Sequence, residues 1–493
     1  MGIIQDQAIK STLYSYLGTV LGFITTGVWF PHILTTDQNG LIKVLLSISV
    51  LAAQFSNVGI SGVIVRLFPI FRNKEKGHYG FLFYPLIVTA LGFSVCVSLF
   101  FIFKGSLIEN YQSKSLLLAE YLYFLIPLIL FQALFNILDV YARSLFNSVI
   151  GVVQKEFVQR LVILLLAVFY SLKWIDFRWF MVYYVLCFAL PVGWVVFYLF
   201  KQGDFTLKVD FSFLSHSLKK EMMSVSMFYF ISGFSVIAVA NIDSIMVNEY
   251  LGLSDAGIYG IVFYFGTLII IPSRALMRIS YTILAEAWKK NDLNEIRTIY
   301  EKSCINQLMI GLLLFIGLWA NIDTVLQLLP SEYHAGKYVI FFIALGNLVD
   351  MAAGVNGAIL ITSRYYKYDS YFLILLVALT IVSNMIFIPL YHITGAAIAT
   401  CITLVLYNLL RFLFLYKTLN LQPFSYKILW IFLIGLVVYF VSTLLPSFKN
   451  YLADLLVRGG FILITYTIAV YIFNVSDDFK ALIKKAFGKI IRF

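Results

Sequence analysis

Apolar residues run along this chain in blocks of about twenty, parted by short charged or turn-rich joints. Soluble strands and core helices have no use for runs of that length, whereas a bilayer takes roughly 20 apolar residues per crossing helix. The blocks predict fourteen spans, numbered in chain order: 11–34, 41–69, 81–103, 119–145, 156–172, 177–200, 222–248, 256–281, 304–320, 338–362, 370–391, 394–417, 426–445 and 456–474. The period-two alternation of an outer-membrane strand is missing within them, so an all-α integral membrane protein is predicted. The joints include FRNKEKGHYG (71–80), KQGDFTLKVD (201–210), AEAWKKNDLNEIR (285–297) and SRYYKYD (363–369). TTDQNG (35–40) and YHITG (391–395) read as tight hairpins between neighbouring helices.

Composition removes the soluble alternatives. Of 493 residues, 61% are hydrophobic and 12% charged, too few charges to coat a water-soluble surface of this size. The net charge of +11 reads as basic cytoplasmic loops rather than a nucleic-acid partner. With the N-terminus inside, 25 basic residues fall near inner ends and eight near outer ends, leaving Arg66, Arg274 and Arg278 within helices. The inner set includes Arg72, Lys74, Lys76, Lys219, Lys220, Lys289, Lys290, Arg364 and Lys367; Lys43, Lys173 and Arg178 fall in the outer set. An even number of spans with both termini cytoplasmic follows, because one miscounted span would invert every later joint. The N-terminal residues lack a cationic n-region and a cleavage site, so the first block reads as a retained span. The four cysteines and five histidines show no ligand spacing, and no GxxxxGK[ST] loop occurs. Neither metal nor cofactor is expected.

An internal repeat is legible. Asn136-Ile-Leu-Asp139-Val-Tyr-Ala142 in span 4 resembles Asn347-Leu-Val-Asp350-Met-Ala-Ala353 in span 10, six spans later. Thr36-Asp37-Gln38-Asn39-Gly40 echoes Ser254-Asp255-Ala256-Gly257 after span 7. An even offset preserves orientation, which implies two parallel six-helix bundles with a central cavity between them, plus two C-terminal helices. The predicted organisation is a lobe at 1–200, a cytoplasmic linker at 201–221, a second lobe at 222–420, extra spans at 421–474 and a basic tail at 475–493. In the tail, Phe479, Leu482, Ile483, Phe487 and Ile490 share a helical face opposite Lys480, Lys484, Lys485 and Lys489. That reads as an interfacial helix on anionic lipids, started by Ser476, Asp477 and Asp478. Residues 292–302, opened by Asp292 and Glu295, read as a cytoplasmic elbow.

The stretch Asp243-Ser-Ile-Met-Val-Asn-Glu-Tyr-Leu-Gly-Leu-Ser-Asp255-Ala-Gly257-Ile-Tyr259-Gly resembles the span 7–8 hairpin of polysaccharide exporters. These exporters are a family, O-antigen flippases among them, of the multidrug/oligosaccharidyl-lipid/polysaccharide exporter superfamily. Ile388-Pro389-Leu-Tyr-His392-Ile-Thr-Gly395-Ala-Ala-Ile-Ala-Thr400 is similar to their turn into span 12, with His392 where glycine is common. The resemblance implies a non-enzymatic flippase in a bacterial inner membrane. It would carry undecaprenyl-pyrophosphate-linked oligosaccharide by ion-coupled alternating access, with a polysaccharide polymerase and glycosyltransferases as partners. A drug or cation antiporter of the same superfamily and a lipid II flippase are the alternatives. Residues 11–34 carry no charge, which departs from the Arg-rich first helix of the lipid II branch.

Glycan and pyrophosphate cannot cross hydrocarbon, so such a protein must supply a polar, cationic path. Charges inside spans cost roughly 2.5–3.5 kcal/mol on insertion scales, which makes the few present candidates. Arg274 and Arg278 lie one turn apart in span 8, where guanidinium suits phosphate oxygens. Arg66 and Arg143 are further candidates near inner ends, and Asn347, Asp350 and Asn356 in span 10 complete the expected substrate set. Asp139, Asp243 and Asp350 are the candidates for ion coupling.

Overall fold

The computed structural model describes residues 2–208, 215–446, 450–481 and 484. Every regular element among them is a helix. Twelve are long and apolar enough to cross a membrane: Ile9–Ile33, Thr36–Ser56, Gly77–Ser106, Leu116–Ser144, Phe177–Gln202, His216–Leu251, Leu253–Lys289, Leu293–Ala320, Ser331–Ala352, Tyr366–Leu419, Tyr426–Thr443 and Ala453–Ile472. Two features connect these with fourteen crossings. The 54-residue helix Tyr366–Leu419 is two helices joined at His392, whose φ of 53° and ψ of −138° are not helical. Span 5 is unbroken helical chain over residues 149–171, with a π-turn at Val153–Val158 that carries Lys155 and Glu156.

The hairpins form where the turn residues stand. Thr35 caps span 2 through a reciprocal box: its Oγ1 accepts from the Gln38 amide at 3.2 Å, and Gln38 Oε1 accepts from the Thr35 amide at 3.0 Å. Between spans 11 and 12, a Cβ on Gly395 would lie 1.9 Å from the Phe387 carbonyl oxygen, so no larger residue fits. Residues 292–302 do not form a separate elbow. They are the first turns of Leu293–Ala320, whose cap Asp292 accepts from the Glu295 amide at 2.9 Å. Nothing between the charged start and the apolar span breaks a helix, so the two run together.

Span 2 differs from its sequence reading. The helix stops at Ser56 and restarts at Ile60–Phe71, because Val58 (φ 45°) and Gly59 (φ 71°) take left-handed backbone. The Ser226 hydroxyl donates to the Val58 carbonyl at 2.5 Å, meeting one acceptor the break leaves free. A Cβ on Gly59 would lie 2.0 Å from the Ser226 carbonyl oxygen, and one on Gly62 would enter the Tyr229 ring. Small residues therefore let spans 2 and 7 meet backbone to backbone.

The chain forms two compact units, Met1–Ile261 and Val262–Phe493. The division falls within span 8, and span 7 packs on span 2 through those glycines. In the first unit, Phe68, Phe71, Phe81, Leu138 and Tyr141 build a core beside the loop at 71–80. His78 staples that loop: its Nδ1 accepts from the Asn73 amide and its Nε2 lies 3.2 Å from the Asp204 carboxylate. In the second unit, spans 13 and 14 pack on span 9 through Leu308, Leu312, Ile431, Ile434 and Tyr466, and the Tyr466 hydroxyl donates to the Met309 carbonyl.

The repeat shows in matched contacts. An offset of 217 (266 − 49) relates Ser49 to Gly266, and one of 211 (343 − 132) relates Gln132 to Ile343, as it does Asp139 to Asp350. In the first unit Gln132 donates to Ser49 at 2.7 Å. In the second, a Cβ on Gly266 would lie 2.8 Å from the Ile343 Cβ. The same helix pair is thus packed at the same register twice, once by a polar bond and once by a glycine contact.

The tail is described as far as Ala481, with Lys484. Ser476 caps a turn there by accepting from the Phe479 amide at 3.2 Å. The other residues of the expected amphipathic face lie outside the described residues.

Candidate functional site

In the first unit, the start of span 2 meets the span 7–8 hairpin with almost no clearance. A Cβ on Gly40 would lie 1.9 Å from the Leu253 carbonyl oxygen, and one on Gly257 would lie 2.0 Å from that of Thr36. These contacts are reciprocal, since the 217-residue offset carries Thr36 to Leu253 and Gly40 to Gly257. Ser254 Oγ donates to Thr36 Oγ1 at 2.7 Å beside them. The next turn carries charge. Lys43 packs along Gly260, its own mate at that offset, and lies within electrostatic reach of Asp243. Asp243 is buried and accepts from the Tyr259 hydroxyl at 3.0 Å. The expected ion-coupling residue therefore sits in a built polar cluster at the seam of the two repeats.

Elsewhere in that unit, Arg66 is exposed and 3.8 Å from Glu221. Arg143 pairs with Asp139 at 2.9 Å, one turn away. A Cβ on Gly151 would overlap the other Asp139 oxygen, so the glycine opens the space that the carboxylate occupies. Lys155 adds its charge to this group and lies 5.1 Å from the Phe135 ring centroid.

The second unit holds a polar network between its helices. Asp350, half-buried, accepts from Asn408 Nδ2 at 2.9 Å; Asn356 Nδ2 donates in turn to Asn408 Oδ1 at 2.9 Å. One turn along span 12, Arg411 donates through Nε and Nη2 to Asp369, with Nε at 3.0 Å. Asp369 is buried and Arg411 largely so, and the guanidinium carbon lies 4.1 Å from the Tyr407 ring centroid. Gly357 makes room, since a Cβ there would lie 2.6 Å from Arg411 Nη1. Asn347 stands apart, donating to the Gly266 carbonyl at 3.2 Å. Asn347 and Asn356 thus hold helices together. Arg274 and Arg278 lie one turn apart on the helix Ile271–Lys289; both are exposed, and among the described residues neither is ion-paired.

A sequence model of the family described as "Polysaccharide biosynthesis protein" matches residues 6–280, more than half of the chain. The chain belongs to the polysaccharide biosynthesis protein family. The family's match spans Arg66, Asp139, Arg143, Asp243, Arg274 and Arg278. No curated protein matches the chain by sequence. Among solved structures, this family member is similar to lipid II flippase MurJ in an inward closed conformation, with a TM-score of 0.74 at 16% identity over 94% of this chain and 98% of that one. An inward-facing multidrug resistance MATE family transporter of the MOP superfamily aligns at 0.66 and 15% identity, over 83% and 98%. A MOP superfamily transporter from Pyrococcus furiosus aligns at 0.54 and 15% identity, over 84% and 95%. The fold of this polysaccharide biosynthesis protein is that of the MOP transporters.

Sequence reading missed Lys43, Asp369, Arg411 and Tyr407. Lys43 counts as a loop charge only if span 2 starts at 41; the Thr35–Gln38 capping box starts it earlier and puts Lys43 two turns inside. Asp369 closes a charged joint and Arg411 stands eight residues before its helix ends at Leu419 (419 − 411). A census of inner-end charges absorbs both, and only the packing of spans 11 and 12 reveals them as a pair.

Proposed function

We propose that this protein is a flippase for undecaprenyl-pyrophosphate-linked oligosaccharide, an O-antigen, capsule or exopolysaccharide repeat unit, in a bacterial inner membrane. Family membership supports polysaccharide biosynthesis as the process, and the MOP transporter fold supports movement across a membrane. The observation that carries the substrate class is the pair Arg274 and Arg278. Arg274 lies within span 8, seven residues before its inner end (281 − 274), about 10 Å at 1.5 Å per residue. An unpaired guanidinium at that depth needs an anion or water, and a pyrophosphate offers bidentate oxygen acceptors. Arg66, Arg143, Asn347, Asp350 and Asn356 form the wider set in this reading. Arg143 and Asp139 serve as a paired inner-end group, while Asn347 and Asn356 keep the polar helices in register.

Asp350 is the coupling group in this scheme. Asp139 is ion-paired with Arg143 and Asp243 is bonded to Tyr259, whereas Asp350 is held through one oxygen by Asn408 and stays half-buried. A proton or Na⁺ arriving there would alter a network that already spans two helices.

The test is genetic and biochemical together. Deletion is expected to accumulate lipid-linked repeat units on the cytoplasmic leaflet, and Arg274→Ala to reproduce this with normal protein levels. Asp350→Asn is expected to uncouple flipping from the ion gradient. Normal surface glycan in the deletion strain removes the proposal. The alternative, a cation or drug antiporter, rests on the acidic Asp350 and Asp243, and gradient-driven dye export from proteoliposomes would favour it.

A further inference from the structure

Spans 5 and 6 form a hairpin whose outward side is unusually hollow. Leu165, Phe169, Ile175, Tyr183, Leu186 and Leu190 line a groove of about 500 Å³. Five of them are a third or more exposed although all are apolar or aromatic; Ile175 is half-buried. The opposite side of the hairpin is closed by Phe180, which lies 5.1 Å from Tyr170 and 6.0 Å from Phe30, centroid to centroid. The groove therefore opens away from the core of the unit, at membrane depth. An empty apolar slot forfeits the contacts of its lining, contacts that a hydrocarbon chain would restore.

The mouth has its own chemistry. Residues 172–176 turn between the spans with Lys173 in a left-handed conformation (φ 59°). Lys173 and Arg178 are exposed and, among the described residues, not ion-paired. Asp176, between them, caps the next helix by accepting from the Trp179 amide at 2.9 Å. Among the described residues Glu120 is a further acidic side chain nearby, acting with Arg178 and Asp176 on Tyr121. Trp174 stacks on Phe169 at 5.4 Å, and it and Trp179 are more than half exposed, the placement of an interfacial belt that fixes this mouth at headgroup level.

We propose that this groove is a lateral phospholipid site: the phosphate lies between Lys173 and Arg178, and one acyl chain runs down the slot past Phe169 to Leu190. Both parts are required. Lipid tails are as apolar as the lining, so the slot alone gives no preference over bulk lipid. The cations supply the charge-assisted contacts that hold one molecule in place. The site lies outside the cluster around Asp350 and does not depend on the proposed cargo.

Native mass spectrometry of the purified full-length protein, titrated with palmitoyl-oleoyl phosphatidylglycerol, tests this. One phospholipid is expected to be retained well above the statistical background. Lys173→Gln with Arg178→Gln is expected to weaken that binding about tenfold, while Lys173→Arg with Arg178→Lys keeps it. Leu186→Trp with Leu190→Trp, which fills the slot, is expected to abolish it; Phe169→Ala serves where that variant does not fold, and is expected to weaken binding severalfold. Diacylglycerol, lacking phosphate, is expected to bind weakly. Unchanged retention in either the charge or the slot variants overturns the site. Displacement of the phospholipid by undecaprenyl phosphate at equal concentration overturns the phospholipid assignment.

Discussion

Arg411 and Asp369 show how one buried pair constrains everything near it. Neither can be removed alone, because the survivor would be a desolvated charge; losing one partner of such a pair costs about 3–5 kcal/mol. Arg411→Met is therefore expected to lower the melting temperature in detergent by many degrees, and the double variant Arg411→Met, Asp369→Leu to recover most of the loss. Equal melting of the single and double variants would mean that the pair is not buried together. His392 poses the converse problem. Its φ of 53° and ψ of −138° suit glycine, and an L-residue there carries a strain of about 1–3 kcal/mol. His392→Gly is expected to leave the hairpin intact and raise stability by a fraction of that, since glycine loses more entropy on folding. A fall in melting temperature would show that the imidazole makes a contact worth more than the strain.

At the scale of helices, the spans were legible because a bilayer demands length, and length survives in a sequence as block size. What interrupts a helix was less legible. The break at Asn57–Gly59 hides in an apolar run because its cause is the approach of Ser226 and Phe230, 167 residues or more away in the chain (226 − 59). The candidate site divides the same way. Arg274 and Asp350 stand out as charges within apolar blocks, whereas Arg411 and Lys43 stand where loop charges are expected and are recognised only by their partners. The tail was legible at its cap, Ser476, but not in its anchor. Asp478 accepts from Lys302 Nζ and Asn306 Nδ2, both at 3.1 Å, which ties the tail to the start of the helix Leu293–Ala320. Partial burial alone would raise the Asp478 carboxyl, but the Lys302 and Asn306 hydrogen bonds, with the Lys302 and Lys427 charges, outweigh it and hold it below its ordinary value of 3.8. A depressed carboxyl stabilises the folded form above the unfolded value, and that contribution fades as pH falls through the folded one. The tail is therefore expected to stay docked at neutral pH and to loosen below about pH 4. Hydrogen exchange over residues 476–481 should rise there, and Asp478→Asn should flatten the dependence. The pair is partly exposed, so its effect stays under about 1 kcal/mol and local.

For the whole molecule, the reciprocal contact at Gly40 and Gly257 is the most specific consequence of the repeat. A self-complementary seam places equivalent residues against each other, as Thr36 with Gly257 and Leu253 with Gly40 do here. Packed backbones of this kind have two states, engaged or apart, because a close-packed seam does not stretch. In the proposed alternating access, the seam must part for the substrate path to open on its side of the membrane. Lys43, Asp243 and Tyr259 then bear the charge one turn below it, exposed to water when it opens. Thr36 Oγ1 and Ser254 Oγ already lie 2.7 Å apart, so cysteines at both positions are within reach of a disulfide. The four native cysteines are free and none is exposed, which keeps the background of competing bridges low. Oxidised Thr36→Cys, Ser254→Cys protein is expected to fold normally, to bind lipid-linked oligosaccharide from the opposite side, and to flip it at background rate. Reductant should restore flipping, and each single variant should be insensitive to oxidant. Full transport with the bridge quantitatively formed would mean that the seam stays shut throughout the cycle, and that the path opens elsewhere.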